Sequence, residues 1–333
     1  MPEVSFILAK RRHPWAAVVI STTRVDPKKG AVIMEEKKPT IALCMMAFNE
    51  EGVLARCLES VKGMTDELVV VDTGSEDKSI EVAKRYNAKV IEVTWRDDFA
   101  WARNQGLKEV KSDWVFILDP DETVALQDVS RIRDLTTKEG VMVWQIPTRN
   151  YTDNSFVSNF IPNKGEYEEE RGFRGHVISI KTRLFRNNIG LEFEGAVHEM
   201  VDYQAHRMKL NGAKTSIPIH HYPGEKATRT GKTKAYFMIR ICEKKVEKNP
   251  SDGQAWWEMG AIQHSLGLER SALKSMKRAL SLGHKKPENL FVVAMILKNL
   301  NAKTESQRYF EKAICLMNPE LTHVKEEYKK LSV

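Results

Sequence analysis

Short apolar runs and amphipathic stretches alternate along the chain from Thr40 onward. The apolar runs have the length of buried strands, and the stretches between them place apolar residues at helical spacing. The predicted strands are Ile41–Phe48, Leu68–Val71, Lys89–Val93 and Trp114–Leu118, and the predicted helices are Glu50–Lys62, Asp77–Tyr86 and Phe99–Val110. Strands that alternate with helices in this way predict an α/β fold with a mostly parallel sheet.

Polar clusters follow three of these predicted strands at the point where each strand ends. They are Asn49-Glu50, Asp72, and the pair Asp119 and Asp121. Ligands of parallel sheets bind beyond the carboxyl ends of the strands. Loops are polar in any protein, and that explains one such cluster more easily than three. The pattern therefore predicts a binding site at this edge of the sheet.

A helical repeat is predicted after about Thr228. One set of apolar and small residues recurs in the same order 34 residues later, which is the tetratricopeptide period. The first set is Trp256, Met259, Gly260, Gln263, Ala272, Met276 and Ala279, and the second is Leu290, Val293, Ala294, Leu297, Ser306, Phe310 and Ala313. An earlier helix over Ala235–Lys248 adds half a repeat. Because two and a half repeats are too few for an independent solenoid, we expect them to pack against the rest of the protein.

These patterns divide the chain into three parts. Residues 1–38 are interpreted as an N-terminal extension, with room for one strand pair. Residues 39–228 form the predicted α/β domain, whose second half, 141–222, has a mixed β character. Residues 229–333 form the predicted tetratricopeptide-like domain.

Composition adds information about partners and location. The formal net charge is +7, which suits an anionic partner such as a nucleoside diphosphate or an anionic membrane surface. The basic residues are spread out, so an ordinary solvated surface explains the charge equally well. Neither aromatic-basic interleaving nor a reading motif for nucleic acid is present. The cysteines lack CxxC spacing and the apolar runs are too short to span a bilayer, so we expect a cytoplasmic protein, with contact at the inner face of the membrane left open.

The segment Asp119-Pro120-Asp121-Glu122 carries the clearest chemical signal. Mg²⁺ and Mn²⁺ prefer hard oxygen ligands, and in nucleotide sites one or two carboxylates share the ion with the phosphates. An ion held there offsets the charge that develops on a departing diphosphate. A pair of aspartates alone is a weak signal, but its place directly after a strand, with Asp72 one strand away, predicts a metal and nucleotide site.

The segment Ile41–Glu122 resembles the family 2 glycosyltransferases of the GT-A fold. Within that group it is similar to the branch that contains lipopolysaccharide-core glucosyltransferases and bacteriocin-peptide S-glycosyltransferases. The motifs that carry the resemblance are AFNEE, VVVDTGSEDKS, DDFAWARNQGL and DPDE, with proline where the family usually has alanine. The resemblance implies that the nucleotide sugar contacts Asn49, Glu50, Asp72, Arg103, Asn104 and Asp119, and that Asp121 binds the metal.

Two later segments extend the resemblance. IHHY at 219–222 is similar to a closing histidine motif, which makes His221 the candidate metal ligand, with His220 as the alternative. FEGAVHEMV at 193–201 is similar to the branch's VHE stretch. Inverting transfer needs one base to take the acceptor's proton, and Glu199 is the candidate, with Asp202 and Glu194 as rivals.

The sequence therefore predicts an inverting, Mn²⁺- or Mg²⁺-dependent hexosyltransferase. Family habit favours a UDP-sugar donor. The acceptor is expected to be a glycan, a lipid-linked molecule or a peptide, and the helical repeats are candidates for binding a protein partner or a second copy. Two other functions stay open. One is a tetratricopeptide scaffold with a relict transferase domain. The other is a nucleotidylyltransferase, which the acidic AFNEE segment disfavours because it would repel a triphosphate.

Overall fold

The protein is described here by a computed structural model. The structure describes residues 22–25, 32–35, 38–155, 159–195, 199–223, 231–285 and 287–316. Near the N-terminus, strands β1 (Thr22–Val25) and β2 (Val32–Glu35) pair antiparallel as a separate two-stranded sheet. This agrees with the expected strand pair in the N-terminal extension.

The main sheet begins with the four strands that the sequence pattern predicts. These are β3 (Ile41–Ala47), β4 (Glu67–Asp72), β5 (Lys89–Glu92) and β6 (Trp114–Ile117), and each lies parallel to its neighbours in the order β5-β4-β3-β6. The helices that connect them are α1 (Leu54–Ser60), α2 (Ser79–Arg85) and α3 (Phe99–Leu107). The observed helices are shorter than predicted. The helix predicted from Glu50 begins at Leu54, because Asn49 has a left-handed φ of 53° and the Glu50 carbonyl closes a turn on Val53 and Leu54.

The second half of the sheet mixes strand directions. It contains β7 (Glu122–Thr123), β8 (Val143–Thr152), β9 (Ile161–Pro162), β10 (Gly175–Arg186), β11 (Gly212–Lys214) and β12 (Ile219–His221). The order continues from β6 through β10, β8 and β12 to β7. Strand β10 runs antiparallel to both β6 and β8, whereas β12 runs parallel to β8 and antiparallel to β7. Helices α4 (Val129–Leu135) and α5 (Asp202–Arg207) complete this part.

The central strands are buried on both faces, as their unbroken apolar runs predict. In β3, Ile41 and Leu43 join an apolar cluster that includes residues of α1, α2 and α4. Ala42 and Cys44 point to the opposite face and join a second cluster with residues of α3 and α5. The small residues on that second face let α3 approach the sheet closely. At Gly106 an added Cβ would lie 2.7 Å from Val71 Cγ2.

The C-terminal helices are α6 (Gly231–Lys248), α7 (Gly253–Ser265), α8 (Glu269–Ser281), α9 (Pro287–Asn299) and α10 (Lys303–Leu316), and together we call them the helical unit. The start of α9 follows that of α7 by 34 residues, and the start of α10 follows that of α8 by the same interval. The predicted repeat positions are buried, except Trp256, which is half-buried. The tetratricopeptide-like repeat is therefore confirmed.

The helical unit packs against the α/β part of the chain. Trp95 and Phe99, from the segment between β5 and α3, join the same apolar cluster as Phe237 and Cys242 of α6. The expected packing is thus present. None of the helices in the described part of the chain combines the length and apolar character that a bilayer crossing needs.

Candidate active site

The carboxyl edge of the sheet brings Asp121 next to His221, although the two residues are 100 positions apart in sequence. Asp121 lies between β6 and β7, and its backbone carbonyl accepts a hydrogen bond from Tyr222 N at 3.2 Å. Strand β12 pairs with β7 so that His221 lies opposite Glu122. This register places His221 Nε2 3.3 Å from Asp121 Oδ2, and the Asp121 side chain is only 8% exposed.

Asn150 of β8 determines which nitrogen of the His221 ring can bind a ligand. The Asn150 amide nitrogen donates to Val177 O at 2.9 Å and to Ser179 Oγ at 3.1 Å, which fixes the orientation of the amide. Its oxygen Oδ1 lies 2.9 Å from His221 Nδ1 and must accept the proton of that nitrogen. A neutral His221 therefore presents a lone pair on Nε2 toward Asp121. A histidine that binds a metal usually has its other ring nitrogen held in this way.

When His221 is neutral with its proton on Nδ1, Nε2 and Asp121 Oδ2 are two acceptor atoms 3.3 Å apart, which repel each other unless a cation lies between or beside them. Neighbouring ligand atoms around an octahedral ion with bonds of about 2.1 Å lie about 3 Å apart, so this pair fits Mg²⁺ or Mn²⁺. Among the described residues, no set of three or more His, Cys, Asp and Glu side chains forms a complete metal cage. Asp121 and His221 therefore fit an ion whose remaining ligands are water and phosphate, which is how Mg²⁺ is usually held in nucleotide sites.

Arg103 of α3 joins the predicted ribose contact to the predicted base. Its Nη2 donates to Asp119 Oδ1 at 2.5 Å, and its Nε donates to Glu199 Oε1 at 2.6 Å. The third nitrogen, Nη1, is buried and has no hydrogen-bond partner among the described residues. Burial lowers the pKa of Arg103, but the charges of Asp119 and Glu199 outweigh that effect and raise it overall. Arg103 thus stays charged, and its Nη1 is a hydrogen-bond donor without an acceptor among the described residues.

A second arginine, Arg183 of β10, lies on the other side of Asp119. Arg183 Nη2 donates to Glu122 Oε1 at 2.5 Å, and Arg183 Nη1 lies 3.9 Å from Asp119 Oδ2. Burial raises the pKa of Glu122, and the charge of Arg183 opposes that rise. With Asp121 and Glu199 included, carboxylates outnumber the guanidinium groups in this cluster. Such a cluster attracts a cation.

Asp72 lies at the end of β4 and borders an open groove of about 490 Å³. One carboxylate oxygen, Oδ2, accepts from the backbone N–H groups of Gly74 and Ser75, each at 2.9 Å. The other oxygen, Oδ1, is buried without a hydrogen-bond partner among the described residues. The opposite wall of the groove comes from the segment after β5, including Thr94 and Trp95. A hollow of about 590 Å³ lies at the amino ends of β4 and β5, the opposite edge of the sheet, away from these groups.

Asn49 and Asn104 use their side chains to hold loops. Asn49 Oδ1 accepts from Glu76 N at 2.7 Å and so joins the end of β3 to the loop after β4. Asn104 makes two hydrogen bonds with the backbone of Phe193, from Nδ2 to the carbonyl at 3.0 Å and from the Phe193 N–H to Oδ1 at 2.8 Å. Glu50 is buried, and its N–H donates to Ser79 Oγ at 2.6 Å. Asn49 and Glu50 follow β3 at the predicted edge, Asn104 lies within α3, and each of the three has a structural contact.

The two adjacent histidines have different surroundings. His220 is fully buried, its ring stacks on Tyr151, and its Nδ1 lies 2.6 Å from the Tyr151 hydroxyl. Burial lowers the pKa of His220 to about 3, so its ring is neutral. His221, by contrast, reaches Asp121. The geometry favours His221 over His220 as the metal ligand.

The rivals to Glu199 as the base both hold local structure. Asp202 accepts from the Thr182 hydroxyl at 2.8 Å at the start of α5. Glu194 forms an ion pair with Arg207. Met200, next to Glu199, forms an isolated bridge with Glu194, and Glu199 itself contacts Arg103 of α3. The neighbouring residues Ala196, Val197 and His198, part of the VHE stretch, lie outside the described residues.

Sequence reasoning missed Asn150 and Arg183, which complete the site. Asn150 holds the His221 ring, and Arg183 binds Glu122. Both come from the antiparallel strands β8 and β10, where an isolated polar residue has no distinctive spacing. Only the pairing of these strands with β12 and β6 reveals their position.

Comparison with known proteins identifies a family for the first part of the sheet. Residues 42–189 match the family model described as glycosyl transferase family 2. Residues 42–189 are therefore similar to family 2 glycosyltransferases, and tetratricopeptide-like helices follow them in the chain.

Among similar proteins, a TPR repeat-containing protein of Synechococcus elongatus is 28% identical over 74% of this chain. The SPbeta prophage-derived glycosyltransferase SunS of Bacillus subtilis is 24% identical over 78% of this chain. The chain covers only 58% of the length of each of these relatives. Among solved structures, S. aureus TarS 1-349 aligns over 87% of this chain and 91% of its own length, with 13% identity and a TM-score of 0.44.

Proposed function

We propose that the protein is an inverting, metal-dependent glycosyltransferase that moves a hexose from a nucleotide sugar, a UDP-sugar by family habit, to an acceptor. The observation that carries the proposal is the pair of facing acceptor atoms, Asp121 Oδ2 and His221 Nε2, at the carboxyl edge of a family 2 domain. Mn²⁺ or Mg²⁺ held there would offset the charge that develops on the departing nucleoside diphosphate.

The groove beside Asp72 is the proposed place of the nucleoside. Asp72 Oδ1 is an acceptor without a partner among the described residues, so it suits a ring N–H of the base. Asp119 lies next to the proposed metal ligand Asp121 and is the proposed ribose contact. Arg103 Nη1, buried and without a hydrogen-bond partner among the same residues, suits an anionic oxygen of the donor.

Glu199 is the proposed base. Inversion requires one group that takes the acceptor's proton as the anomeric carbon is attacked. Arg103 binds Glu199 and Asp119 through different nitrogens of one guanidinium, so the proposed base is fixed relative to the proposed ribose contact. We expect Glu199→Gln to lower kcat by about 10²- to 10⁴-fold, the usual contribution of general base catalysis. A pH–rate profile unchanged by Glu199→Gln would exclude this role.

A donor-hydrolysis screen tests the activity. The full chain is incubated with Mn²⁺ and a panel of UDP-, GDP- and dTDP-hexoses, and release of the nucleoside diphosphate is measured. Asp121→Asn and His221→Gln should abolish release. His206→Gln, at an exposed histidine of α5, is the matched control and should behave as the wild type. A thermal shift with nucleotide and Mn²⁺ in the wild type adds a binding readout, because a ligand of the native state raises its stability.

The acceptor is proposed to be a glycan, a lipid-linked molecule or a peptide, and one member of each class belongs in the second round of the screen. The helical unit is the proposed surface for a protein partner or a second copy. If the wild type shows neither hydrolysis nor a thermal shift with any nucleotide, a scaffold function replaces the transferase.

A further inference from the structure

Trp95 lies where the proposed nucleoside groove meets the helical unit. It lines the groove together with Asp72 and Ile80. It also belongs to the apolar cluster that includes Ile241 and Cys242 of α6. One residue therefore takes part in both the groove wall and the contact between the α/β part and the helices.

Aromatic contacts fix the Trp95 ring from the side of the helical unit. Its ring centroid lies 4.8 Å from that of Phe99, edge to face, and 5.9 Å from that of Phe237 of α6. Phe99 and Phe237 also contact each other edge to face, at 6.5 Å. Three aromatic rings in mutual contact leave each ring few alternative orientations.

Asp97 adds a polar connection beside these rings. Its Oδ1 accepts from the Trp95 indole N–H at 2.9 Å and from Arg240 Nη2 at 3.2 Å. Its Oδ2 forms an ion pair with Lys244. Asp97 has a left-handed φ of 55°, and its side chain is only 13% exposed. Two cations of α6 therefore hold the carboxylate that orients the Trp95 indole.

The same segment continues directly into α3. Asp98 caps this helix by accepting from Trp101 N at 2.8 Å, and α3 carries Arg103. The helical unit thus contacts the loop that leads both to the groove wall and to Arg103.

We propose that Trp95 is a base-contacting residue of the nucleotide site and that helix α6 positions it, so that the helical unit is a structural part of donor binding. This inference rests on the proposed transferase function. The Trp95 ring and Ile80 supply apolar surface for a nucleobase, and Asp72 supplies the polar contact at the same groove. Phe237, Arg240 and Lys244 do not line the groove; Phe237 contacts Trp95 and Phe99, and the two cations contact Asp97.

Binding of nucleoside diphosphates to the full chain tests the proposal. UDP, GDP, CDP, ADP and dTDP are each titrated with Mn²⁺ by calorimetry, and the tightest binder is used for the variants. Stacking on an aromatic ring is worth enough that Trp95→Ala should weaken binding about tenfold, whereas Trp95→Phe should stay within about threefold of the wild type. Phe237→Ala, which leaves the groove lining intact, should weaken binding about fivefold because the Trp95 ring loses its support.

A matched control separates positioning from general loosening of the helical unit. Phe291→Ala removes another edge-to-face aromatic pair, with Phe310 at a centroid distance of 5.2 Å, between α9 and α10. It should lower the melting temperature as Phe237→Ala does, with nucleotide affinity unchanged. In the hydrolysis assay, Phe237→Ala should raise KM for the donor and leave kcat at saturating donor unchanged.

Each outcome decides the question. If Trp95→Ala or Phe237→Ala binds nucleotide as tightly as the wild type, or if Phe291→Ala weakens binding as much as Phe237→Ala, the proposed role of α6 is wrong and the transferase proposal stands. If the wild type binds none of the nucleotides, both proposals are wrong.

Discussion

If Asp121 and His221 hold the proposed metal ion, replacing Asn150 with leucine should weaken metal binding without removing either proposed ligand. Asn150 Oδ1 receives the Nδ1 proton of His221, so Asn150→Leu removes the only contact described for that nitrogen. The ring can then carry its proton on Nε2, where it faces Asp121 Oδ2 and competes with the ion. Loss of a residue that orients a metal ligand typically lowers metal affinity 10- to 100-fold, which corresponds to about 1.4 to 2.7 kcal/mol.

The assay is a titration of Mn²⁺ into the protein with saturating nucleoside diphosphate, in which free Mn²⁺ is followed by electron paramagnetic resonance. Asn150→Leu also loses the hydrogen bonds from its amide nitrogen, so a control must lose similar bonds elsewhere. Asn163 meets this need, because its Oδ1 lies 2.8 Å from His176 Nδ1 and its Nδ2 donates to Phe173 O at 3.0 Å. Asn163→Leu should lower stability and leave Mn²⁺ affinity unchanged. Equal Mn²⁺ affinity for Asn150→Leu and the wild type would refute the tautomer reasoning.

Three further predictions concern stability. Burial lowers the pKa of His220 to about 3 in the folded protein, against about 6.5 in the unfolded chain. The contribution of the neutral ring to the free energy of unfolding is therefore fully present above pH 6.5 and is lost as the pH falls, by at most about 1.4 kcal/mol per pH unit. Between pH 7 and pH 5, urea unfolding should show a smaller loss of stability for His220→Phe than for the wild type. Gly106→Ala should lower the free energy of unfolding, measured by chemical denaturation, by about 1–3 kcal/mol, because its Cβ would lie 2.7 Å from Val71 Cγ2. An unchanged denaturation midpoint would contradict the close approach of α3 to the sheet. Gly260→Ala should lower the free energy of unfolding by a similar amount, about 1–3 kcal/mol, because its Cβ would lie 2.6 Å from Met276 Cγ and 3.3 Å from the backbone atoms Ala272 O and Met276 N. Unfolding at the wild-type midpoint would contradict the close approach of α7 and α8.

The parts of the fold that depend on local patterns were predictable from the sequence. The apolar runs of β3, β4 and β6 are buried on both faces, and nothing but their length and composition was needed to identify them. The helical repeat was equally accessible, because its period is visible in the sequence itself. The edge where Asp72 and Asp121 lie follows from the rule that parallel strands share one direction.

The parts that depend on contacts between distant segments were not predictable. Asn104 belongs to a motif expected to face the donor, yet its side chain binds the backbone of Phe193, 89 residues away. The role of Asn150 depends on the register of β8 with β12, which no local pattern fixes. The choice between His220 and His221 likewise required the structure, because adjacent residues of a strand point to opposite faces.

The last strand of the α/β part has a consequence for biosynthesis. Strand β12 inserts between β8 and β7, strands made much earlier, and it delivers His221 to Asp121. A nascent chain that has not yet emerged past Tyr222 therefore possesses every predicted nucleotide contact but half of the predicted cation site. The proposed cation site therefore depends on the last strand of the sheet to be synthesised, and a chain shortened before His221 should lack it.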